Sequence, residues 1–400
     1  MSPIQQQINS LVQKVYPRAC EIRRDLHRNP EVSYKEFRTT DVIVRELEQL
    51  GYEIIRPLET GCVAVLRGNN ISSRVIALRA DIDALPMDET GDHKKEFLSQ
   101  IPGVAHCCGH DVHTANLLGV AHVLAELKND IPGTVVLVFQ PGEEKLPGGG
   151  RLIMESGVLQ RLGVQAIYGM HTYAYAKPGK VMVIKGPMMA RPDEFTLKVT
   201  GKGGHAAIPH KAVDPIVISA QIVTLLQSII TRSVNPLHPA VLTVGKIEGG
   251  SAHNVIPASV SMLGTIRTFS AELANHISDK IEATASAVAE AAGGSIEYSF
   301  SQGYPAVINT DWAVDAICKV ADGLDGVDAE FLDEPIMAGE DFSFYQQEIP
   351  GSFMYLGSGS PDSGSDRYNW HHPLYNADER SMITGMKVFC GLVFEEKATQ

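Results

Sequence analysis

The sequence is short of positive charge. Its 34 Lys and Arg stand against 47 Asp and Glu, a formal net charge of −13. A chain of that balance is repelled by nucleic acid unless it carries a strong local basic patch. The densest basic run, Arg23-Arg24 with His27-Arg28, is interrupted by Asp25. Long apolar runs are also missing: no uninterrupted stretch of about 18 apolar residues suggests a bilayer span. The first twenty residues lack a basic segment followed by an apolar one, so no signal peptide is expected. Six cysteines in 400 residues, two of them adjacent, do not make a disulfide framework. These absences point to the cytoplasm, to no membrane and no nucleic-acid partner, and to reduced thiols free to bind metal. No internal repeat is present.

Apolar residues make up 44% and charged residues 20% of the chain, as in globular proteins. Its length exceeds one ordinary core, so two domains are expected. Residues 4–15, 16–28 and 37–50 have helical spacing, and 52–55, 62–67 and 74–79 read as strands. A helix over 112–127 precedes the strand 134–140, which is apolar throughout, as in a sheet covered on both faces. A further strand, 166–170, follows. The texture changes near 185–192. From there strand 194–200, helix 215–230, strands 241–247 and 259–267, helix 271–292 and strand 295–300 suggest an inserted α+β domain of ferredoxin-like type. Segments 312–322, 353–356 and 380–394 then rejoin the first sheet. The expected fold is α/β, with a discontinuous domain over 1–185 and 301–400 and an inserted domain over 186–300.

Chemistry concentrates in residues 105–114, A-H-C-C-G-H-D-V-H-T. This stretch holds His106, Cys107, Cys108, His110, Asp111 and His113, so three of fourteen histidines and two of six cysteines fall there. Thiolate and imidazole suit borderline-soft ions such as Zn²⁺. Cys108-Gly109-His110, taken as an extended loop, can aim both side chains at one centre, with Gly109 allowing a tight turn. Other candidate donors stand at the carboxyl ends of apolar segments: Asp81 and Asp83, Glu143 and Glu144, and His171. In open α/β sheets that edge is where ligands bind. Adjacent carboxylates in extended chain face opposite ways, so one of Glu143 and Glu144 can hold a cation while the other accepts a proton from an activated water. The pair also reads as an ordinary acidic loop. His371-His372 completes the inventory, while His122 and His276, on helical segments, read as structural.

These residues resemble the M20 metallopeptidase clan, and within it the amidohydrolase branch of hippurate hydrolases, N-acyl-amino-acid deacylases and plant auxin-conjugate hydrolases. The resemblance runs through Asp25-Leu26-His27-Arg28-Asn29-Pro30-Glu31, Arg79-Ala80-Asp81-Ile82-Asp83-Ala84-Leu85-Pro86 and His106 to His113. It continues through Phe139-Gln140-Pro141-Gly142-Glu143-Glu144, Gly203-Gly204-His205-Ala206-Ala207-Ile208-Pro209-His210 and His253-Asn254-Val255-Ile256-Pro257. Gly339-Glu340-Asp341-Phe342 and His371-His372-Pro373 close it.

The resemblance implies a two-metal hydrolase of linear amides, acting on N-acyl amino acids such as N-acetyl, benzoyl or indole-acetyl derivatives. Cys108 would bridge two divalent ions (Zn, Mn, Co or Ni), with His110, Glu144, His171 and His371 as the other ligands. Glu143 would be the general base. The inserted domain would be a lid that also dimerises, supplying His205 to the oxyanion and Asn254 and Arg267 to the substrate carboxylate; Arg267 equally reads as an ordinary strand charge. Cys107 departs from the pattern of relatives, and the C-x-H spacing favours Cys108 as the ligand, with Cys107 turned into the packing. Asp111, His113, Asp81 and Asp83 would orient ligands or cap the helix. A dipeptidase or aminopeptidase of the same clan is the alternative, against which Cys108 leans because those branches tend to bridge with Asp. A non-catalytic homologue would have lost a ligand or the base, and a structural zinc module would not carry spare carboxylates.

Overall fold

A computed structural model describes residues 2–362 and 364–399. The chain divides into two compact units, Met1–Met188 with Ile308–Pro335 and Asp341–Gln400, and Met189–Val307 with Ile336–Glu340.

The first unit is built on an eight-stranded sheet. Its order is Glu53–Ile55, Cys62–Arg67, Pro132–Gln140, Asn70–Asp81, Ala166–Tyr173, Gly351–Gly357, Lys180–Val183, Asp328–Phe331. The four central strands are mutually parallel, with Asp81 opposite Gln140, Arg79 opposite Gly169, and His171 opposite Tyr355. Parallel alignment puts their carboxyl ends at one edge, which is why acids and histidines far apart in sequence arrive together. Helices Pro3–Arg28, His110–Glu126 and Ser381–Phe394 pack with one another and supply much of the core, including Val12, Ile22, Leu118, Val120, Met386 and Phe389. The helix His110–Glu126 is buried over nearly its whole length, so it lacks a polar face. At Gly119 an added Cβ would lie 2.3 Å from Met386 Sδ, so glycine is what lets helices His110–Glu126 and Ser381–Phe394 approach. The two helical segments expected over 4–28 form one helix with Pro17 inside it. Burial of Ile8, Val12, Ala19, Ile22 and Leu26 along one stripe holds it continuous across the missing N–H.

The second unit carries a four-stranded antiparallel sheet in the order Val241–Gly249, Ser259–Thr268, Arg191–Thr200, Ser295–Ser301. With helices Pro215–Ser233 and Ala271–Ala291 the chain order is β-α-β-β-α-β, the ferredoxin-like arrangement. Phe195, Leu197 and Val199 alternate inward and meet Ile218, Ile222, Leu226, Ile277 and Ile281. The helix Pro215–Ser233 is long and apolar enough, by length and composition, to cross a membrane, although no uninterrupted apolar run marks it in the sequence. Its apolar residues lie on two sides: Ile218, Ile222, Leu226 and Ile229 enter the unit's core, while Ile216, Val217 and Leu225 face outward.

Candidate metal centre

The site grows from Gly109. This residue is left-handed at φ 93°, and a Cβ on it would stand 2.6 Å from Thr172 Oγ1 and 2.8 Å from Tyr375 Oη. The stretch 108–110 is therefore a tight turn rather than an extended loop, and His110 opens the helix His110–Glu126 instead of preceding it. Asp81 ends its strand and Asp83 follows two residues on; Glu143 and Glu144 lie in the turn after Pro132–Gln140; His171 sits inside Ala166–Tyr173. His371 arrives on a loop and is itself left-handed at φ 63°, pinned by its N–H donating to the Cys107 carbonyl at 2.8 Å.

Two groups of converging donors share one member. Cys108, His110 and His171 form a fully buried set, and Cys108, Glu144 and His371 form a second that reaches the surface; within each, the donor atoms all lie within 4.8 Å of one another. Cys108 Sγ is 3.3 Å from His171 Nε2, and His371 Nε2 is 3.2 Å from Glu144 Oε1. His171 Nδ1 donates to the Thr172 carbonyl at 2.9 Å, which leaves Nε2 as the lone-pair nitrogen facing the thiol. His110 Nδ1 bonds Asp83 Oδ1 at 3.2 Å, while its buried Nε2 has no hydrogen-bond partner among the described residues. A buried imidazole nitrogen left open beside a thiol and a carboxylate is what a bound cation satisfies. The donor set therefore fits divalent ions. Glu143, buried, joins His110 and Glu144 in a third group of converging atoms.

The electrostatics point the same way. Burial, reinforced by the Glu144 and Glu143 charges, pushes the Cys108 thiol well above its ordinary range. Burial alone would lower His110, but Asp81 and the hydrogen bond to Asp83 outweigh it and hold the imidazole at about 10. Burial and the neighbouring His113 hold His171 well below its usual value. Four acids around one thiol and one imidazolium make a site that a divalent cation neutralises, displacing protons from Cys108 and His110 as it binds.

The surrounding residues sort by their hydrogen bonds. Asp83 Oδ2 accepts from the Glu144 N–H at 3.1 Å and from Ser33 Oγ at 2.7 Å, so one carboxylate sets both His110 and Glu144. Asp81 Oδ1 holds His113 Nδ1 at 2.6 Å, and His113 Nε2 accepts the Thr172 N–H at 2.9 Å. Both His113 nitrogens are thus occupied, and His113 buttresses the strand bearing His171. Asp111 turns the other way, to Arg23 at 2.7 Å and His27 at 2.8 Å, and ties helix Pro3–Arg28 to the N-terminus of helix His110–Glu126. Cys107 is buried in the core and its thiol joins none of the donor groups. His372 stacks on Tyr368 at 4.4 Å, away from the donors. Trp370, one of only two tryptophans, escaped notice in the sequence. Its Nε1 donates to the Thr172 carbonyl at 2.9 Å and its ring meets His171 edge-on at 4.6 Å. Its rarity and its place beside His371 were the available signals.

The other expected residues lie in the second unit. His205 is exposed in the short strand Gly204–His205, paired with Val255–Ile256, and its Nδ1 accepts the Ala207 N–H at 3.1 Å. The Ala206 N–H donates to the Asn254 carbonyl at 3.1 Å, which sets the His205 and Asn254 segments side by side. Arg267 stands on a different element, the sheet strand Ser259–Thr268, with Nε donating to Thr265 Oγ1 at 3.1 Å.

Residues 77–395 match the peptidase family M20/M25/M40. The chain is 42% identical over 307 residues to an N-acyl-L-amino acid amidohydrolase of Geobacillus stearothermophilus, covering 76% of this chain and 82% of that one. It is 37% identical over 379 residues to an N-acetylcysteine deacetylase of Bacillus subtilis, covering 94% and 96%. Its structure matches that of the Bacillus subtilis YXEP protein, described as a dinuclear metal-binding peptidase of the M20 family, with TM-score 0.83 and 34% identity over 97% of this chain and 100% of that one. The chain belongs to the peptidase family M20/M25/M40.

Proposed function

We propose that the protein is a metal-dependent amidohydrolase that cleaves N-acyl amino acids into a carboxylate and a free amino acid. The observation that carries this reading is the pair of donor groups joined at Cys108, with Glu143 next to one of them in the same turn. Relatives named for deacylation of amino acids support the substrate class. Cys108, His110 and His171 would hold one divalent ion and Cys108, Glu144 and His371 the other; Zn, Mn, Co and Ni all accept this mixed donor set. Ions bound there would supply polarisation of the scissile carbonyl and a lowered pKa for the attacking water. Glu143 takes the proton from that water as its oxygen adds to the carbonyl carbon. It then gives the proton to the amide nitrogen as the C–N bond breaks and the amine leaves. His205 would donate to the developing oxyanion, and Asn254 and Arg267 would bind the substrate carboxylate.

The second unit is assigned the role of lid and dimer contact over about residues 186–300. Its support is the outward apolar residues Ile216, Val217 and Leu225, and an edge strand, Val241–Gly249, with Val241 and Ile247 exposed. The cytoplasm is the assigned compartment, consistent with six free thiols.

The test is Glu143→Ala, assayed beside wild type on N-acetyl, benzoyl and indole-acetyl amino acids and on free dipeptides. Turnover of the acylated substrates should fall by roughly 10³-fold, within the span attributed to a general base, while metal content stays at the wild-type value. Full activity in that variant sinks the mechanism. Faster cleavage of free dipeptides than of acylated amino acids moves the assignment to a dipeptidase.

A further inference from the structure

Glu143 and Glu144 sit in a turn, Pro141–Gly149, that belongs to no helix or strand before Gly149. The turn closes on itself through the Gly149 N–H donating to the Gly142 carbonyl at 3.0 Å. A base carried on such a segment needs outside support, because proton transfer demands placement within hydrogen-bond reach.

That support comes from one short segment more than a hundred residues earlier. Tyr34 Oη donates to the Lys145 carbonyl at 2.7 Å and accepts from the Gly148 N–H at 3.1 Å. The tyrosine ring lies flat against Gly142, where an added Cβ would come within 2.3 Å of its Cε1. Glu36, fully buried, accepts the Gly142 N–H at 2.8 Å and the Tyr34 N–H at 2.9 Å on one oxygen, and Thr60 Oγ1 at 2.8 Å on the other. Ser33 reaches the same turn through Asp83, which accepts from both Ser33 Oγ and the Glu144 N–H. Residues 33–36 thus hold Gly142, Glu144, Lys145 and Gly148, on both sides of Glu143. Tyr34 does so from a left-handed backbone at φ 65°, a conformation residues with a Cβ avoid unless their surroundings impose it. Neither Tyr34 nor Glu36 belongs to a donor group.

We infer that Tyr34 and Glu36 are positioning residues that brace the turn and fix the reach of Glu143 toward the substrate. The inference rests on Glu143 being the base. Tyr34 and Glu36 contact Gly142, Lys145 and Gly148, whereas the Glu144 N–H is held by Asp83, so loss of either brace should act on the rate of the proton-transfer step more than on substrate affinity or metal binding.

The metal-loaded full chain carries the test, with whichever of the N-acetyl, benzoyl or indole-acetyl amino acids wild type cleaves fastest. Tyr34→Phe should lower kcat about tenfold, the scale of a sub-ångström misplacement, with KM within about twofold and metal content unchanged. Glu36→Leu should cost more, about 30-fold or above, since it strands the Gly142 N–H. Glu36→Gln should recover most of the rate, because its amide oxygen still accepts two N–H groups and its NH₂ can meet Thr60 Oγ1. In a Glu143→Ala background, Tyr34→Phe should change the residual rate by less than about twofold, because residues acting through one group are non-additive. The inference is overturned if Tyr34→Phe keeps the wild-type kcat, if its loss tracks loss of metal, or if the loss persists undiminished without Glu143. Should Glu36→Leu fail to fold, Tyr34→Phe and the double variant still decide. An active Glu143→Ala single variant defeats the base assignment itself, which is a different outcome from an inert Tyr34→Phe.

Discussion

At the scale of single residues, Asp83 shows how much one carboxylate can organise. One oxygen orients the His110 imidazole and the other holds the backbone of Glu144, so each donor group depends on it. Both contacts are lost in Asp83→Ala. Groups that orient metal ligands typically contribute 10–100-fold to metal affinity, so metal binding should weaken by about that factor. Competition with a chelator measures it, and an affinity within about twofold of wild type contradicts the role. The residue types of the site were readable from the sequence, because thiol, imidazole and carboxylate chemistry is local. Their assignments were less so. His110 and His113 stand three apart at the start of one helix, and only the hydrogen bonds to Asp81 and Thr172 show that His113 has no nitrogen to spare.

Among the elements, the turn at Gly109 matters most. It joins the loop carrying Cys108 to the helix begun by His110, and its left-handed backbone brings both toward the strand that carries His171. Gly109→Ala meets two obstacles, the positive φ and the close approach to Thr172 and Tyr375. A left-handed non-glycine residue costs on the order of 1–3 kcal/mol before any clash is counted. Chemical denaturation should therefore show a loss of at least that size, together with weakened metal binding; unchanged stability and affinity would falsify this account of the turn. The need for glycine between the two proposed ligands was visible in C-G-H. The handedness was not, since an extended loop and a tight turn place i and i+2 side chains equally well on paper.

For the whole molecule, stability against acid follows from buried carboxylates that keep their charge. Burial by itself raises Glu89, but the His27 hydrogen bond and the Lys94 charge outweigh it and hold the carboxyl at about 2. Its folded value lies below the ordinary 4.5, so the folded state binds fewer protons at this site than the unfolded chain. The contribution is complete above about 4.5 and is lost as pH falls toward 2. Glu36 has the opposite sign: burial, with the Asp83 charge, pushes it up to about 7, so it costs stability as pH rises from 4.5 to that value. Urea titrations of metal-free protein at pH 6 and pH 3 should show Glu89→Gln losing less stability on acidification than wild type. An equal or larger loss rules out this assignment. The division into an α/β unit and a ferredoxin-like unit was legible in strand and helix periodicity. The outward apolar side of Pro215–Ser233 was not, because its apolar residues are interrupted by polar ones along the chain.

By itself the sequence determined the donor inventory, the strand-end pattern and the α/β class with its insertion. Ligand type and periodicity are properties of neighbouring residues, so they can be read along the chain. The tertiary structure alone decided which donors converge, with Cys108 common to two of the groups, and which histidine nitrogens are left open among the described residues. It also showed how the turn bearing Glu143 is held. Asp83 meets Glu144 across 61 positions and Tyr34 meets Lys145 across 111. Contacts at such separations leave no periodic trace, because they depend on the twist and register of a sheet that forms between them.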